Sequence, residues 1–352
     1  MLEFYKNKKV FITGHTGFKG SWLTKILILA GAEVKGYSLT PNTEPNMYNL
    51  LNLDSNIESV IGDIRDLEKL KKEMKAFEPE IVFHLAAQPI VRESYNNPVY
   101  TYETNVLGTV HILEAIRECA SVKSFVNITT DKVYLNREWL WGYREDERLC
   151  GYDPYSNSKS CSELVTYSYV NSFFQEKNIA ISTARSGNVI GGGDFAKDRI
   201  IPDCVRASIK KEEIIVRNPY STRPYQHVLD CLSGYLLLAE KQYNERDLAS
   251  NYNFGPNDES CVTTGNLVDM FCKYWINASW KNVCDHGPHE AQFLKLDCSK
   301  AKQTLKWNPK LNIEDAINLT VEWYMSYANN ENINIVTEKQ IVNYFKNGDN
   351  NE

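Results

Sequence analysis

Through the first half of the chain, short apolar runs alternate with longer segments whose apolar positions recur at helical spacing. Lys9-Val-Phe-Ile-Thr13 is apolar at consecutive positions and is followed by glycine, the pattern of a strand buried on both faces. Ser21 to Ala30 repeats its apolar residues at helical spacing and stops at Gly31. Further strands are predicted over Glu33–Tyr37, Glu58–Ile61, Ile81–Leu85, Ser124–Thr129 and Ala180–Arg185. Helices are predicted between them over Leu67–Phe77, Asn105–Glu118 and the stretch holding Tyr155 and Lys159. Strand-helix alternation of this kind predicts an α/β fold: a Rossmann-like, doubly wound parallel sheet with right-handed crossovers.

From about Gly191 the pattern loses regularity, with glycines, prolines and single arginines among short apolar segments. The expected organisation is a Rossmann domain over 1–185 and a smaller substrate-binding domain over 186–328, with some strands, such as Asn251–Phe254, returning to the main sheet. A polar tail over 329–352 follows, with one short helix around Thr337–Phe345.

Composition narrows the function classes. With 43% hydrophobic and 24% charged residues the chain reads as an ordinary globular protein. A net charge of −6 argues against a nucleic-acid partner, which needs a basic face. No apolar run reaches membrane-spanning length and the N-terminus has no signal-peptide pattern, so a soluble, cytoplasmic protein is expected. Nine cysteines without a Cys-x-x-Cys pair suit reduced thiols. His286-Gly-Pro-His289 is the one tight histidine pair and lacks companion ligands, so no metal is expected.

Two motifs carry chemistry. Gly14-His-Thr-Gly17-Phe-Lys-Gly20 sits between a strand and a helix, where backbone N–H groups can meet a pyrophosphate at the positive helix end. The acid usual at the end of the second strand is missing, and Ser38 stands ready to bond the ribose instead. Lys19 reads either as a cation for a 2′-phosphate or as a solvated lysine. Asp63 reads either as a partner of the adenine amino group or, like Asp66, as a helix cap. The second motif is Tyr155-Ser-Asn-Ser-Lys159, which puts phenol and ammonium one helical turn apart, where the cation lowers the phenol pKa. Thr130, at a strand end upstream, adds the hydroxyl of a device that removes a proton from an alcohol. Asp131 and Lys132 beside it point to a further step, although alone they read as a salt-bridged pair.

With the glycine loop, Gly62-Asp63-Ile64, His84-Leu-Ala-Ala-Gln88, Asn105 and Tyr155-x-x-x-Lys159 in order, the chain resembles the extended short-chain dehydrogenase/reductase superfamily. Within it, Ala86-Ala-Gln-Pro-Ile-Val-Arg92, Asn136-Arg-Glu-Trp-Leu-Trp-Gly-Tyr-Arg-Glu145 and Gly187-Asn-Val-Ile-Gly-Gly-Gly-Asp194 resemble the CDP-glucose 4,6-dehydratases. So do Arg223-Pro-Tyr-Gln-His-Val228 and Leu294-Lys-Leu-Asp-Cys-Ser-Lys300. The likeness runs from about residue 8 to about 325, with Thr130 for the family's serine and Leu135 for a polar residue.

The resemblance implies NAD as cofactor, held by Gly14, Thr16, Gly17, Phe18, Lys19, Gly20, Ser38, Asp63 and Ile64. Leu85, Ala86, Ala87, Asn105, Thr129, Tyr155, Lys159 and Ser186 complete that set. It implies oxidation of a nucleotide-sugar at carbon 4 by Tyr155, Lys159 and Thr130, then loss of water across carbons 5 and 6 with Asp131 as acid and Lys132 as base. Hydride return to carbon 6 makes the reaction redox-neutral. Gln88 and Arg92 are implied at the sugar, and Asn188, Arg199, Arg217 and Arg223 at the pyrophosphate and nucleoside. His227 either faces the ligand or packs behind it. CDP-glucose is the implied substrate and a homodimer or higher homo-oligomer the implied assembly. Rivals on the same scaffold are dehydratases of GDP-, dTDP- or UDP-sugars, a 4-epimerase or reductase, and a silent cofactor-sensing protein.

Overall fold

The computed structural model describes residues 1–283 and 293–346. Seven strands form one parallel sheet: β1 (Lys9–Thr13), β2 (Glu33–Ser38), β3 (Glu58–Ile61), β4 (Ile81–His84), β5 (Ser124–Ile128), β6 (Ala180–Ser186) and β7 (Asn251–Phe254). Their order is β3-β2-β1-β4-β5-β6-β7, so the winding reverses between β1 and β4. Open α/β sheets bind ligands at the carboxyl ends of the strands beside such a switch point. The seventh strand comes from the C-terminal half and pairs Asn253 with Arg185 on β6.

The unbroken apolar runs follow from packing on both faces. Along β1, Val10 and Ile12 join one core cluster and Phe11 the other, each fully buried, because alternate residues of a strand point to opposite faces. One layer holds α1 (Phe18–Leu29), the other α2 (Leu67–Phe77) and α3 (Gly108–Arg117). The latter layer also packs α4 (Pro154–Tyr169) through Val165 and Tyr169, and the beginning of that helix is set by sequence. The Asp153 carboxylate accepts from the Ser156 N–H at 2.9 Å and Pro154 occupies the first turn. This cap fixes where Tyr155 stands.

Two segments depart from expectation. The helix predicted over Asn105–Glu118 is α-helical only from Gly108; a π-turn spans Glu103–Leu107. Within that turn Asn105 bonds inward to Gln88 and Ser158, which regular spacing did not signal. The short helix expected around Thr337–Phe345 runs longer, as α7 (Ile333–Lys346), after α5 (Val228–Asn244) and α6 (Ile313–Ala328). Ile333, Ile341 and Tyr344 bury one stripe, hidden in sequence by the asparagines and glutamates around them. Lys25 on α1 pairs with Glu338 at 2.6 Å, and the Tyr344 hydroxyl donates to buried Asp230 at 2.6 Å.

Candidate active site

A cavity of about 1520 Å³ opens at the carboxyl ends of the strands. A single small ligand fills roughly 300–1,000 Å³, so two can lie here together. One end is walled by the glycine loop, Ser38, Asp63 and Ile64; the other by Thr130, Lys132, Tyr155, Lys159, Asn188 and five arginines.

The first end suits a dinucleotide. Gly14 has φ +80° and lies so close to β4 that a Cβ would stand 2.7 Å from the Ala86 nitrogen. The glycine loop then enters α1, whose N-cap Gly17 offers no side-chain acceptor. The first-turn N–H groups therefore remain available to an anion. Ser38 Oγ lies 2.9 Å from Thr16 Oγ1 at the rim, in place of the missing acid. The two readings of the aspartates separate: Asp66 caps α2 through the Lys69 N–H, while Asp63 lines the cavity and accepts from Arg65 Nη2 at 2.7 Å. Leu85, Ala86, Ala87, Thr129 and Ser186 also line the cavity.

Lys19 takes neither of its two expected places. Its ammonium turns toward β6, 3.5 Å from Ser186 Oγ and 3.3 Å from the Tyr235 hydroxyl. Four strand spacings of about 4.8 Å separate β6 from β2, which carries Ser38, so Lys19 cannot serve a 2′-phosphate there. It belongs to the catalytic end.

At that end α4 and the end of β5 meet. Lys159 is 4% exposed and donates to the Ile128 carbonyl at 3.1 Å. Burial, and then the charge of Lys19, bring its pKa down to about 7. The expected lowering of the Tyr155 pKa does not occur. Burial pushes this phenol up to about 12, the Thr130 hydrogen bond pulls the other way and the Asp131 charge adds to the rise. Desolvation outweighs the lowering influence of Thr130 and the Arg199 charge on this phenol.

Thr130 links the two halves of the site. It adjoins Tyr155, whose pKa it pulls down, and donates to Asp131 Oδ1 at 2.9 Å. Asp131 is fully buried, 3.5 Å from Lys132 Nζ, and its second oxygen has no hydrogen-bond partner. Lys132 reaches the cavity and donates to Asn188 Oδ1 at 3.4 Å.

The remaining candidates divide by position. Gln88, Arg92, Asn188, Arg199, Arg217 and Arg223 line the cavity. Arg199 pairs with Asp194 at 2.7 Å and Arg217 with Asp198 at 3.0 Å, which holds both forks in place. Three candidates are not part of the wall: Asp131, Asn105 and His227. Asn105 is buried behind Gln88 and accepts its N–H at 2.8 Å. His227 is buried as the cap of α5, its Nδ1 accepting from the Leu229 N–H, with its ring edge against Trp22. Burial lowers its pKa to about 3, so it is neutral packing, the second of its two readings.

Among the described residues no group of histidines, cysteines and acids has metal-binding geometry; His286 and His289 lie outside them. No described helix is long and apolar enough to cross a membrane. Sequence reasoning passed over Glu163 and Arg185, a fully buried ion pair beneath the site. The available signals were an acid one turn beyond Lys159 and a charge inside an apolar strand.

Comparison with known proteins agrees with this geometry. A family model described as GDP-mannose 4,6 dehydratase matches residues 11–320. The CDP-glucose 4,6-dehydratase of Salmonella typhimurium is 49% identical over 349 residues, covering 97% of each chain. The dTDP-glucose 4,6-dehydratase of Streptomyces antibioticus is 30% identical over 275 residues, 77% of each. In fold, the chain matches the NAD complex of dTDP-glucose 4,6-dehydratase from Bacillus anthracis with TM-score 0.76 and 21% identity, covering 91% of this chain and 97% of that one. The UDP-glucose 4-epimerase of Thermotoga maritima gives 0.77 at 24%, covering 91% and 99%. On sequence, sheet order and site alike, the chain belongs to the GDP-mannose 4,6 dehydratase family of extended short-chain dehydrogenase/reductases.

Proposed function

We propose that the protein is a nucleotide-sugar 4,6-dehydratase that uses NAD and converts CDP-glucose to its 4-keto-6-deoxy product. One observation carries this: Asp131 and Lys132 stand against Thr130, which adjoins Tyr155, so groups for elimination adjoin groups for hydride chemistry. An epimerase or reductase needs only the Tyr155 side of that arrangement. The choice of CDP-glucose is supported by the Salmonella relative, 49% identical over nearly the whole chain.

Tyr155 takes the proton from the carbon-4 hydroxyl, with Thr130 sharing its hydrogen bond. Lys159, Lys19 and Arg199 supply positive charge around a phenol that is otherwise hard to ionise. NAD, held by the glycine loop and Ser38, would supply the hydride acceptor and donor for carbons 4 and 6. Lys132 removes the proton at carbon 5, acidified by the ketone, and returns it there as carbon 6 gains its hydride. Asp131, in its acid form, protonates the oxygen leaving carbon 6, which departs as water. The cavity arginines hold the pyrophosphate, for which guanidinium forks are suited.

The same reading places the enzyme in the cytoplasm, where its eight free cysteines among the described residues stay reduced. It also makes the enzyme a homodimer. Val99, Leu107, Leu164 and Tyr167 are 49–69% exposed on the helical turns from Pro98 to Leu107 and on α4, an apolar face that a second copy would cover.

The test is to incubate the protein with CDP-, dTDP-, GDP- and UDP-glucose, and to follow the absorbance of the 4-keto product in alkali and carbon 6 by NMR. Product from CDP-glucose is expected. Product from none of the four refutes the dehydratase reading, and product from another nucleotide alone refutes the CDP assignment. Lys132→Met is expected to keep hydride transfer from carbon 4 and to lose elimination; undiminished product formation refutes its role as base.

A further inference from the structure

Glu163 and Arg185 form an ion pair at 2.8 Å whose side chains are only 2% and 1% exposed. Burying two charges removes them from water at a penalty that their attraction repays only with excellent geometry, and apolar residues of the same size often serve stability as well. Such a pair needs a reason beyond stability. Its hydrogen bonds supply one.

Glu163 sits one turn beyond Lys159 on α4 and accepts from Arg185 Nε and Nη2 at 2.8 and 2.9 Å. Its carboxylate also accepts from Thr129 at 2.5 Å, just before the catalytic Thr130, and from Thr183 on β6 at 2.6 Å. The free edge of the Arg185 fork donates to the Tyr134 hydroxyl at 2.7 Å and to the Glu145 carbonyl at 2.9 Å. Tyr134 in turn donates to Asn253 on β7 at 2.7 Å and stacks on Tyr143 with ring centroids 5.2 Å apart.

The ion pair therefore grips the chain on both sides of Thr130-Asp131-Lys132: at Thr129 through Glu163, and at Tyr134 through Arg185. Between those two points lies only a three-residue 3₁₀ turn, Asp131–Val133, which is too short to hold its own geometry. Tyr155 and Lys159 need no such grip, since the capped helix α4 and the Ile128 carbonyl already hold them.

We propose that the buried Glu163–Arg185 pair is a positioning device that fixes Asp131 and Lys132 against the Tyr155–Lys159 helix, and so governs elimination separately from oxidation. The assignment of elimination rests on the function proposed above; the mechanical coupling does not.

Two variants test it. Tyr134→Phe removes one hydroxyl between Arg185 and Asn253 and keeps the ring stack; Glu163→Gln keeps the shape and removes the charge. In single turnovers of the NAD-loaded protein with CDP-glucose, carbon-4 oxidation should stay within about threefold of the parent while water loss falls about tenfold to a hundredfold, the scale of an ångström-level misplacement. Reduced nicotinamide absorbance should then build up transiently, which it would not do if both steps slowed together. In ligand-free protein, amide hydrogen exchange should quicken across residues 129–137 in both variants, and not in α4. Equal slowing of both steps in Tyr134→Phe, or no change in either, overturns the proposal. If the parent turns over no nucleotide-sugar, the exchange arm decides alone: unchanged protection of 129–137 in Tyr134→Phe overturns the coupling.

Discussion

Replacing Lys159 by methionine should make the ligand-free protein more stable while abolishing its oxidation step. The lysine is 4% exposed and its pKa falls from 10.5 to about 7, first by burial and then by the charge of Lys19. For a lysine depressed in this way, the folded state surrenders a proton that the unfolded chain keeps. The penalty is complete below about pH 7 and is relieved as pH rises toward 10.5. The displacement is worth on the order of 5 kcal/mol. Methionine removes it but strands the Ile128 carbonyl, which now accepts at 3.1 Å, at a cost of about 1–3 kcal/mol. A net stabilisation of about 2–4 kcal/mol at neutral pH remains. Urea unfolding from pH 6 to 10 measures it. The parent should gain about 1.4 kcal/mol per pH unit relative to Lys159→Met across the window, so that the two curves cross and the parent ends ahead by the stranded carbonyl's about 1–3 kcal/mol. Lys19→Met, which removes the neighbouring charge, should raise the lysine's pKa and so shift this window to higher pH. Parallel curves for parent and Lys159→Met would refute the claim that this buried amine is held partly neutral by its surroundings.

Gly187→Ala would place a Cβ 2.7 Å from the Pro224 ring and 3.0 Å from Asp131 Oδ2. A loss of about 1–3 kcal/mol in urea unfolding is expected, together with a larger fall in water elimination than in carbon-4 oxidation. Glutamate at Leu164, a residue 53% exposed on α4, should convert the proposed dimer to monomers in light scattering while leaving the far-ultraviolet dichroism intact. A dimer that survives this change refutes the assignment of that face.

The sheet could be read along the chain because its inner strands are buried on both faces. Continuous apolar runs such as Lys9–Thr13 and Ile81–His84 have no competing interpretation once helices lie between them. Local chemistry also showed through: Asp153 and Pro154 announce the start of α4, and with it the station of Tyr155. What stayed hidden depends on groups distant in sequence. The direction of the Lys19 side chain is decided by Ser186 and Tyr235, more than 160 residues away. The ionisation of Tyr155 depends on how completely the fold strips it of water, which motif spacing cannot express. Asn105 and His227 carry polar atoms that suit a ligand, yet their partners prove to be Gln88 and a helix N-terminus. Glu163 and Arg185 were passed over because each looks unremarkable until β5, β6 and α4 bring them together.

The return of β7 to the sheet has a consequence for biosynthesis. Until residues 251–254 leave the ribosome, β6 is the edge of a parallel sheet with its outer peptide groups unpaired, exposed to association with other nascent chains. β7 must then close a loop back to Ala180–Ser186, a non-local pairing of the kind that slows folding. Asn253 arrives with it, so the hydroxyl of Tyr134 gains its acceptor only at that moment. The first half of the chain, though it encodes every residue proposed for catalysis, is in this sense an unfinished template. Synthesis and assembly of the active centre are separated in time by the production of nearly a hundred further residues, about 5–20 seconds at ordinary translation rates.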